Sequence, residues 1–511
     1  MPEITPTPQQ AQIIDEILQR QADIYIVTAK RGRGKSALAG LLAKALDSAL
    51  SAIGRLSCKQ RERIILTAPN KSAVGILQDF AQNELNFMAP DELFLRIQQT
   101  PEYFRHDWLL IDEAAMIPLD LLDCLTSAFK HVLCTTTIHS YEGTGRGFLL
   151  KFMANIDRTF RYFELHKPLR WAEDDLPERF IDDLLLLDCE DRLAQPAYAL
   201  DAAVNIMPVS QSALINSGKI ADFYGLLTLA HYRTTPLDLR RLFDAPRQQF
   251  WLAQSDHRLI GCVWALEEGG LQDFALITDI CRGIRRPKGN LVAQSLAFQS
   301  NLPQACELKS LRISRIAVQP NWQHHRIGVR LIDEIVNTTE TDFLSVSFGY
   351  TEVLVRFWQK CGFNLVHLGE YKEATSGCYS AIALRPISPA GMKLAEKAAW
   401  HFRRNIGLSF HPLADQFEFE PDWRLTDEDW AILQNFSNFN RTLSSSLAAI
   451  RRLLAISDTQ ECPLLMSYCT KQPNINMESG GKKSWLTQCR LEIQQLLQKH
   501  EIDSNIKHGL K

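Results

Sequence analysis

A lysine, a hydroxyl and two adjacent carboxylates carry the first recognisable chemistry in this sequence. In the run Ala29-Lys30-Arg31-Gly32-Arg33-Gly34-Lys35-Ser36, two glycines precede a lysine and a serine. Glycine lets the backbone curl until consecutive N–H groups face one anion. A lysine closing such a loop reaches the terminal phosphates of a nucleotide, and the hydroxyl after it ligates Mg2+. The amides of Ala37 and Leu38 extend the cradle into the helix that follows. Ala29 stands where the usual pattern has its first glycine, which requires an ordinary negative φ at that position. The other half of the chemistry lies in Trp108-Leu109-Leu110-Ile111-Asp112-Glu113, an apolar run ending in two carboxylates. Asp112 suits a Mg2+ ion and Glu113 suits polarisation of an attacking water.

A second constellation runs from Arg315-Ile316-Ala317-Val318-Gln319-Pro320 to Gln323-His324-His325-Arg326-Ile327-Gly328-Val329. An apolar stretch breaks at a proline and enters a helix through a polar, glycine-bearing turn. This resembles the coenzyme-binding turn of GNAT acetyltransferases, with Arg326 in place of the first glycine of the pattern Gln-x-x-Gly-x-Gly. The resemblance implies that amides from Gln323 to Val329 hold the pyrophosphate of acetyl-CoA at a helix N-terminus. Ile316 and Val318 would pair with the pantetheine arm, and the amide of Ala317 or Val318 would polarise the thioester carbonyl. Arg356 is placed with the coenzyme-binding residues. Trp358 stands where many such enzymes carry the tyrosine that protonates the leaving thiolate. The acid–base role stays open between Tyr350, Glu352 and His324 or His325.

These residues need elements to hold them. IYIV (24–27), IILTAP (64–69), WLLID (108–112) and HVLCTTT (131–137) read as buried strands, and 36–46 as a helix. Strands alternating with helices predict a parallel α/β sheet. From about Met207 a second pattern begins, with helical segments to about Phe243. Strands follow at FWLAQ, LIGCVWALEE, LRISRIAV and FLSVSFG, with helices between them. Beyond about Pro386 the chain reads as mainly helical. The expected fold is thus an α/β chain of three parts: a P-loop, helicase-like sheet domain over 1–205, a GNAT domain over 206–386, and a helical region over 387–511. Between Ala172 and Asp191 lie nine acidic residues and one arginine, which read as a solvated helix or linker face.

The 511 residues suffice for about three domains. A hydrophobic fraction of 46%, a charged fraction of 23% and a net charge of −3 argue against a disordered tail or a uniformly basic coat. Nucleic-acid contacts would therefore come from local clusters. One is Arg282, Arg285, Arg286 and Lys288. Others are His401, Arg403, Arg404, Arg451, Arg452, Lys482 and Lys483 in the tail. No run of eighteen apolar residues and no signal peptide is present. The twelve cysteines include no C-x-x-C pair, so neither a zinc site nor a disulfide framework is indicated. A cytoplasmic location is expected.

Two further motifs attach to the nucleotide half. Pro6-Thr7-Pro8-Gln9-Gln10 resembles the adenine-reading glutamine motif of RNA helicases, with Gln10 in the reading position. Thr135 to Gly147, rich in threonine and glycine, resembles the helicase segment that couples hydrolysis to motion. A phosphate loop and an acetyltransferase turn in one chain is similar to the tRNA(Met) cytidine acetyltransferase family. The segments AKRGRGKSA, IDEAA, HSYEGTGRGF, KPLRWA, GLLTLAHYRTTPLDLRRLFD, RGIRRPKGNLVAQSL, RIAVQP and SFGYTEVLVRFWQKCGF carry this likeness.

The likeness implies N4-acetylation of the wobble cytidine in the anticodon loop of elongator tRNA(Met). Acetyl-CoA, ATP or GTP, and Mg2+ would be used, with Arg170 touching nucleotide. It implies neither a membrane nor an obligate protein partner. Members most like this chain carry a further N-terminal domain before the glutamine motif, and this chain is expected to begin without it. Two other readings are open: an RNA remodeller with a non-catalytic acetyl-CoA module, and a protein or small-amine acetyltransferase with a regulatory nucleotide domain.

Overall fold

The computed structural model describes residues 5–52, 63–137, 152–189, 203–230, 235–373, 377–457, 462–471 and 481–509. The N-terminal part is built on strands β1 (Ile24–Ala29), β2 (Ile64–Thr67), β3 (Asn86–Phe87), β4 (Trp108–Ile111), β5 (His131–Thr137) and β6 (Phe160–Leu165). They lie in the order β3-β2-β4-β5-β1-β6, all parallel. Both faces are covered, which explains the unbroken apolar runs. Tyr25, Val27 and Leu133 pack under the helices Pro8–Leu18, Lys35–Ala52 and Gly75–Ala81. Ile24, Ile26 and Val132 pack under Pro90–Gln99 and Leu119–Ala128. The two-residue β3 and the half-exposed β6 lack such runs and escape a reading by pattern.

The register decides what meets at the sheet's edge. Ala29 pairs with Thr137, and Ile111 with Cys134. The phosphate loop, Asp112-Glu113 and Thr135–Thr137 therefore converge where parallel strands end, the position at which open α/β sheets bind ligands.

The second sheet contains β7 (Val204–Val209), β8 (Gln248–Ser255), β9 (Arg258–Gly269), β10 (Lys309–Val318), β11 (Phe343–Gly349), β12 (Asn364–Lys372) and β13 (Tyr379–Pro386). Its order is β12-β13-β11-β10-β9-β8-β7, and only β10 and β11 run parallel. The edge strands β7 and β12, and β13 beside β12, were not expected. β7 has no fully buried residue, and much of β12 is exposed, so the apolar signal of these two is weak; β13 buries only the short run Ala381–Leu384, which periodicity alone does not assign to strand or helix. Leu311 and Ile313 of β10 pack against Ile327 and Leu331 of the helix Ile327–Thr338 on one face. On the other face Phe250, Leu252 and Cys262 pack under the helix Ile220–Ala230.

From Pro389 the described chain is helical, beginning with Pro389–Ile406, which packs Leu394, Ala395 and Ala398 against the second sheet. The helices Asp427–Asn438, Leu443–Ile456, Pro463–Lys471 and Gly481–Gly509 enclose a separate core around Leu433, Phe436, Ile450 and Leu453. Among the described residues no helix is long and apolar enough to cross a membrane.

Candidate nucleotide and acetyl-CoA sites

β1 delivers Ala29, fully buried, into the phosphate loop. The only residues of the loop with positive φ are Gly32 (79°) and Gly34 (84°), so Ala29 fits without strain. The two glycines also admit close neighbours. A Cβ on Gly32 would stand 2.6 Å from the Trp171 ring, and one on Gly34 2.5 Å from Leu169. Leu169 further donates its amide to the Gly32 carbonyl at 2.9 Å. Arg170, between these two residues, is exposed beside the loop.

Gln10 is buried. It closes a capping box with Thr7 and donates from Nε2 to the Gly34 carbonyl at 3.0 Å. In this arrangement its amide anchors the loop.

Lys35, buried, donates to Thr137 Oγ1 at 2.6 Å and lies 3.1 Å from a Glu113 oxygen. Glu113 also accepts the Thr137 amide at 3.3 Å. Asp112 accepts from Thr135 Oγ1 at 2.6 Å, while its other oxygen is buried with no hydrogen-bond partner among the described residues. Burial pushes the Asp112 carboxyl up, Glu113 adds to the rise, and the Thr135 and Ser36 hydroxyls oppose it. An oxygen-only set with one unpartnered carboxylate oxygen beside a lysine and a serine fits Mg2+ and a phosphate chain. Residues 138–147 of the threonine- and glycine-rich segment lie outside the described residues, whereas Thr135 and Thr137 bind the carboxylates directly.

The acidic stretch forms the largely exposed helix expected of a solvated face, but some of its carboxylates bind the phosphate loop. Asp175 caps the helix Leu176–Leu185 by accepting the Glu178 amide. Glu178 pairs with buried Arg33 and accepts the Trp171 indole N–H at 2.7 Å. Burial pushes the Glu178 carboxyl up, but Arg33 and Trp171 outweigh it and hold it below its ordinary value. Lys30 is 3.0 Å from Asp182 and 3.1 Å from Asp188; Arg31 is exposed. Just beyond this helix, Cys189 packs with Phe223, Leu226 and Ala317 of β10. One segment thus touches both the phosphate loop and the core behind the second site.

At that second site β10 and β11 part company. They pair from Ser310↔Phe343 to Ile313↔Val346, while β10 continues to Val318 on β9 and β11 continues to Gly349 on β13. The wedge exposes one backbone edge of Ile316–Val318 to an extended ligand. Below it, Gln323 is extended, and His324 and Arg326 take positive φ (64° and 61°). Arg326 thereby adopts the left-handed turn that the missing glycine would have supplied. No side chain caps the helix Ile327–Thr338, so the amides of Ile327, Gly328 and Val329 face outward for an anion. His325 Nδ1 lies 2.8 Å from the Gln323 carbonyl. Gly328 has a packing reason as well: a Cβ there would stand 2.9 Å from the Phe357 ring.

Tyr350 follows β11 and donates its amide to the Tyr379 carbonyl at 2.7 Å. Burial, and then the charge of Glu352, push its phenol up. Glu352 is exposed and paired with Arg356 one turn along its helix. Trp358 is buried against Phe348, Phe357 and Phe363, a core residue with no proton to give a thiolate.

Residues 26–188 match the helicase domain of the RNA cytidine acetyltransferases NAT10/TcmA, residues 222–337 and 334–388 match GNAT acetyltransferase 2, and residues 391–503 match a tRNA-binding domain. The chain is 50% identical over 530 residues to tRNA(Met) cytidine acetyltransferase TmcA of Haemophilus influenzae, covering 96% of this chain and 78% of that one. The chain belongs to the tRNA(Met) cytidine acetyltransferase family. The enzyme of that description from Yersinia pestis is 43% identical over 466 residues, and that from Actinobacillus pleuropneumoniae 38% over 502. The chain spans 64% of the Yersinia relative and 77% of the Actinobacillus one. Membership makes this protein an acyltransferase with a nucleotide-binding module.

The tRNA-binding match includes the tail cations, and the structure sorts them. Arg404 and Arg452 are buried on Asp429, at 3.0 and 2.9 Å. His401 is buried 2.7 Å from Glu428, and burial pulls its pKa down to about 4. These three hold the tail together and do not face RNA. Arg403, Lys482 and Lys483 are exposed, and Arg451 is half-buried over Phe410 and Trp423. Sequence pattern alone does not separate the two groups, because a buried arginine on an amphipathic helix has the same spacing as an exposed one.

Proposed function

We propose that this enzyme acetylates the N4 amine of the wobble cytidine in elongator tRNA(Met), using acetyl-CoA and the hydrolysis of ATP or GTP. The observation that carries the reading is the wedge between β10 and β11 above the uncapped turn at 326–329, in a chain that also holds a phosphate loop. The cytidine nitrogen forms a C–N bond to the acetyl carbonyl, the C–S bond breaks, the leaving thiolate takes up a proton, and the amine releases one to water. A cytosine amine shares its lone pair with the ring, so alignment and carbonyl polarisation must supply most of the rate. Amides at Ala317 or Val318 serve the polarisation. Tyr350 keeps its proton at neutral pH and is the candidate donor to the thiolate, ahead of Glu352, which Arg356 engages at the surface.

In the nucleotide module, Ser36 and Asp112 would hold Mg2+, which would supply charge neutralisation for the phosphates. Lys35 contacts the same phosphates, and Glu113 orients a water. Transfer of acetyl from a thioester to an amine is downhill without a nucleotide. Hydrolysis therefore serves to displace the stacked anticodon base, a cost of a few kcal/mol. Incubation with total tRNA, acetyl-CoA and ATP, followed by nucleoside mass spectrometry, tests the proposal. Acetylcytidine at the wobble position of tRNA(Met) is expected. Its absence, with acetylated protein or polyamine instead, would overturn the reading.

A further inference from the structure

Beside the wedge, on the face of the second sheet opposite the helix Ile327–Thr338, lies a cavity of about 1160 Å³. A bulge in β10 lies against it. Ile313 pairs with Ala265 and Arg315 with Trp264, so Ser314 is an extra residue on one strand. Bulges re-aim side chains, and here Ser314 and Arg315, adjacent in sequence, both line the cavity. The bulge coincides with the point at which β10 leaves β11. The cavity floor therefore adjoins the backbone to which the acetyl group is assigned.

The walls carry a particular chemistry. Arg315 is 3.1 Å from Asp238 Oδ2, and both side chains are largely buried. That oxygen also accepts from the Thr235 amide and hydroxyl at 2.9 and 3.1 Å. Oδ1 has only an exposed Arg241 at 3.4 Å, which leaves it capacity to accept. The Trp264 ring lines the same space, and its indole N–H is buried with no acceptor among the described residues. At the mouth, Arg247, Arg286 and Lys288 stand on two loops. A carboxylate oxygen next to a guanidinium is complementary to the pairing edge of cytosine, which offers an amino donor at N4 beside acceptors at N3 and O2. Uracil reverses the first two.

We propose that this cavity receives the splayed-out target cytidine, that Asp238 and Arg315 read its amino edge, and that Arg247, Arg286 and Lys288 hold the flanking phosphates. This rests on the acetyl-transfer reading above. The pair delivers the amine to the wedge and rejects uridine, and the mouth cations contribute sequence-independent, salt-sensitive affinity.

The test uses the full chain and tRNA(Met) transcripts with cytidine or uridine at the wobble position. For the unaltered enzyme, dissociation constants should favour cytidine by about tenfold or more. In Asp238→Asn the preference should collapse to within about threefold, with affinity for the uridine transcript and for acetyl-CoA unchanged; the KM for the cytidine transcript should rise. Lys288→Glu, at the surface, should weaken both transcripts equally and flatten the salt dependence of binding. A retained cytidine preference in Asp238→Asn, or none in the unaltered enzyme, overturns the assignment. So does unchanged salt dependence in Lys288→Glu. Acetylation by the unaltered enzyme is measured in parallel. No acetylcytidine overturns both proposals, whereas acetylation with undiminished discrimination in the variant overturns the cavity alone.

Discussion

Asp429→Asn tests whether the buried arginines of the tail are structural. The Asp429 side chain is 2% exposed and accepts from Arg404, Arg452, and both the amide and hydroxyl of Thr426, each at 2.9–3.0 Å. Arg404 and Arg452 are 3% and 0% exposed. The substitution preserves shape and removes the charge that holds two desolvated guanidiniums together. Asp422, 3.5 Å from Arg404, compensates in part. Breaking a buried ion pair from one side costs about 3–5 kcal/mol, against a total stability of about 5–15 kcal/mol for a domain. The expected result is a loss near 3 kcal/mol and a melting point lower by on the order of 10 °C for a unit of this size. Urea and thermal unfolding followed by circular dichroism measure it. A salt titration of tRNA binding, run below the transition, should keep its slope, because neither arginine touches phosphate. A loss under about 1 kcal/mol, or a shallower salt slope with the melting point unmoved, would refute the reasoning and return these arginines to the RNA interface.

Lys35→Ala should abolish nucleotide hydrolysis, since the phosphates lose the one lysine of the loop that faces Glu113 and Thr137; a radiolabelled phosphate-release assay with undiminished turnover would remove the phosphate-loop assignment. Glu113→Gln should bind nucleotide but turn over slowly, and acetylation of folded tRNA should fall more than that of a short unstructured RNA holding the same cytidine. Equal loss on both would assign the nucleotide to assembly of the active site instead. Arg326→Gly should raise stability by about 1 kcal/mol, because glycine adopts the left-handed turn without the Cβ penalty, and calorimetry should show acetyl-CoA still binding; destabilisation would mean that the arginine side chain holds the turn. Burial, followed by the nearby His411, pulls the His367 pKa down to about 4. The unfolded chain protonates this imidazole from about pH 6.5 and the folded chain only near 4. Its contribution is complete above pH 6.5 and is lost as the pH falls toward 4. His367→Gln should flatten the stability profile in that window, as measured by urea midpoints.

The parts of the two sites that depend on neighbours in the chain were legible without coordinates. A phosphate loop is a strand, two glycines and a helix in immediate succession, and backbone sterics make that pattern local. The same holds for β10 entering the turn at 323–329, although the left-handed conformation of Arg326 is visible only in the folded backbone. The β1, β2, β4 and β5 runs were equally plain, because a parallel strand buried on both faces leaves no polar alternation to confuse it.

What pairs with what was decided by the tertiary structure. Lys35 meets Glu113, and Asp112 meets Thr135, only because the register of β1, β5 and β4 brings three strand ends to one edge. The acidic helix at 176–185 has the composition of a solvated face, yet two of its carboxylates, Asp182 and Glu178, lie on Lys30 and Arg33, more than 140 positions away. Arg404 and Arg452 look like RNA ligands until packing puts Asp429 between them. The bulge at Ser314, which turns Arg315 into the cavity, is set by how β10 pairs with β9. The division has a physical reason. Backbone conformation is set within a few residues, whereas a charge acquires its meaning from what folding places within about 4 Å of it.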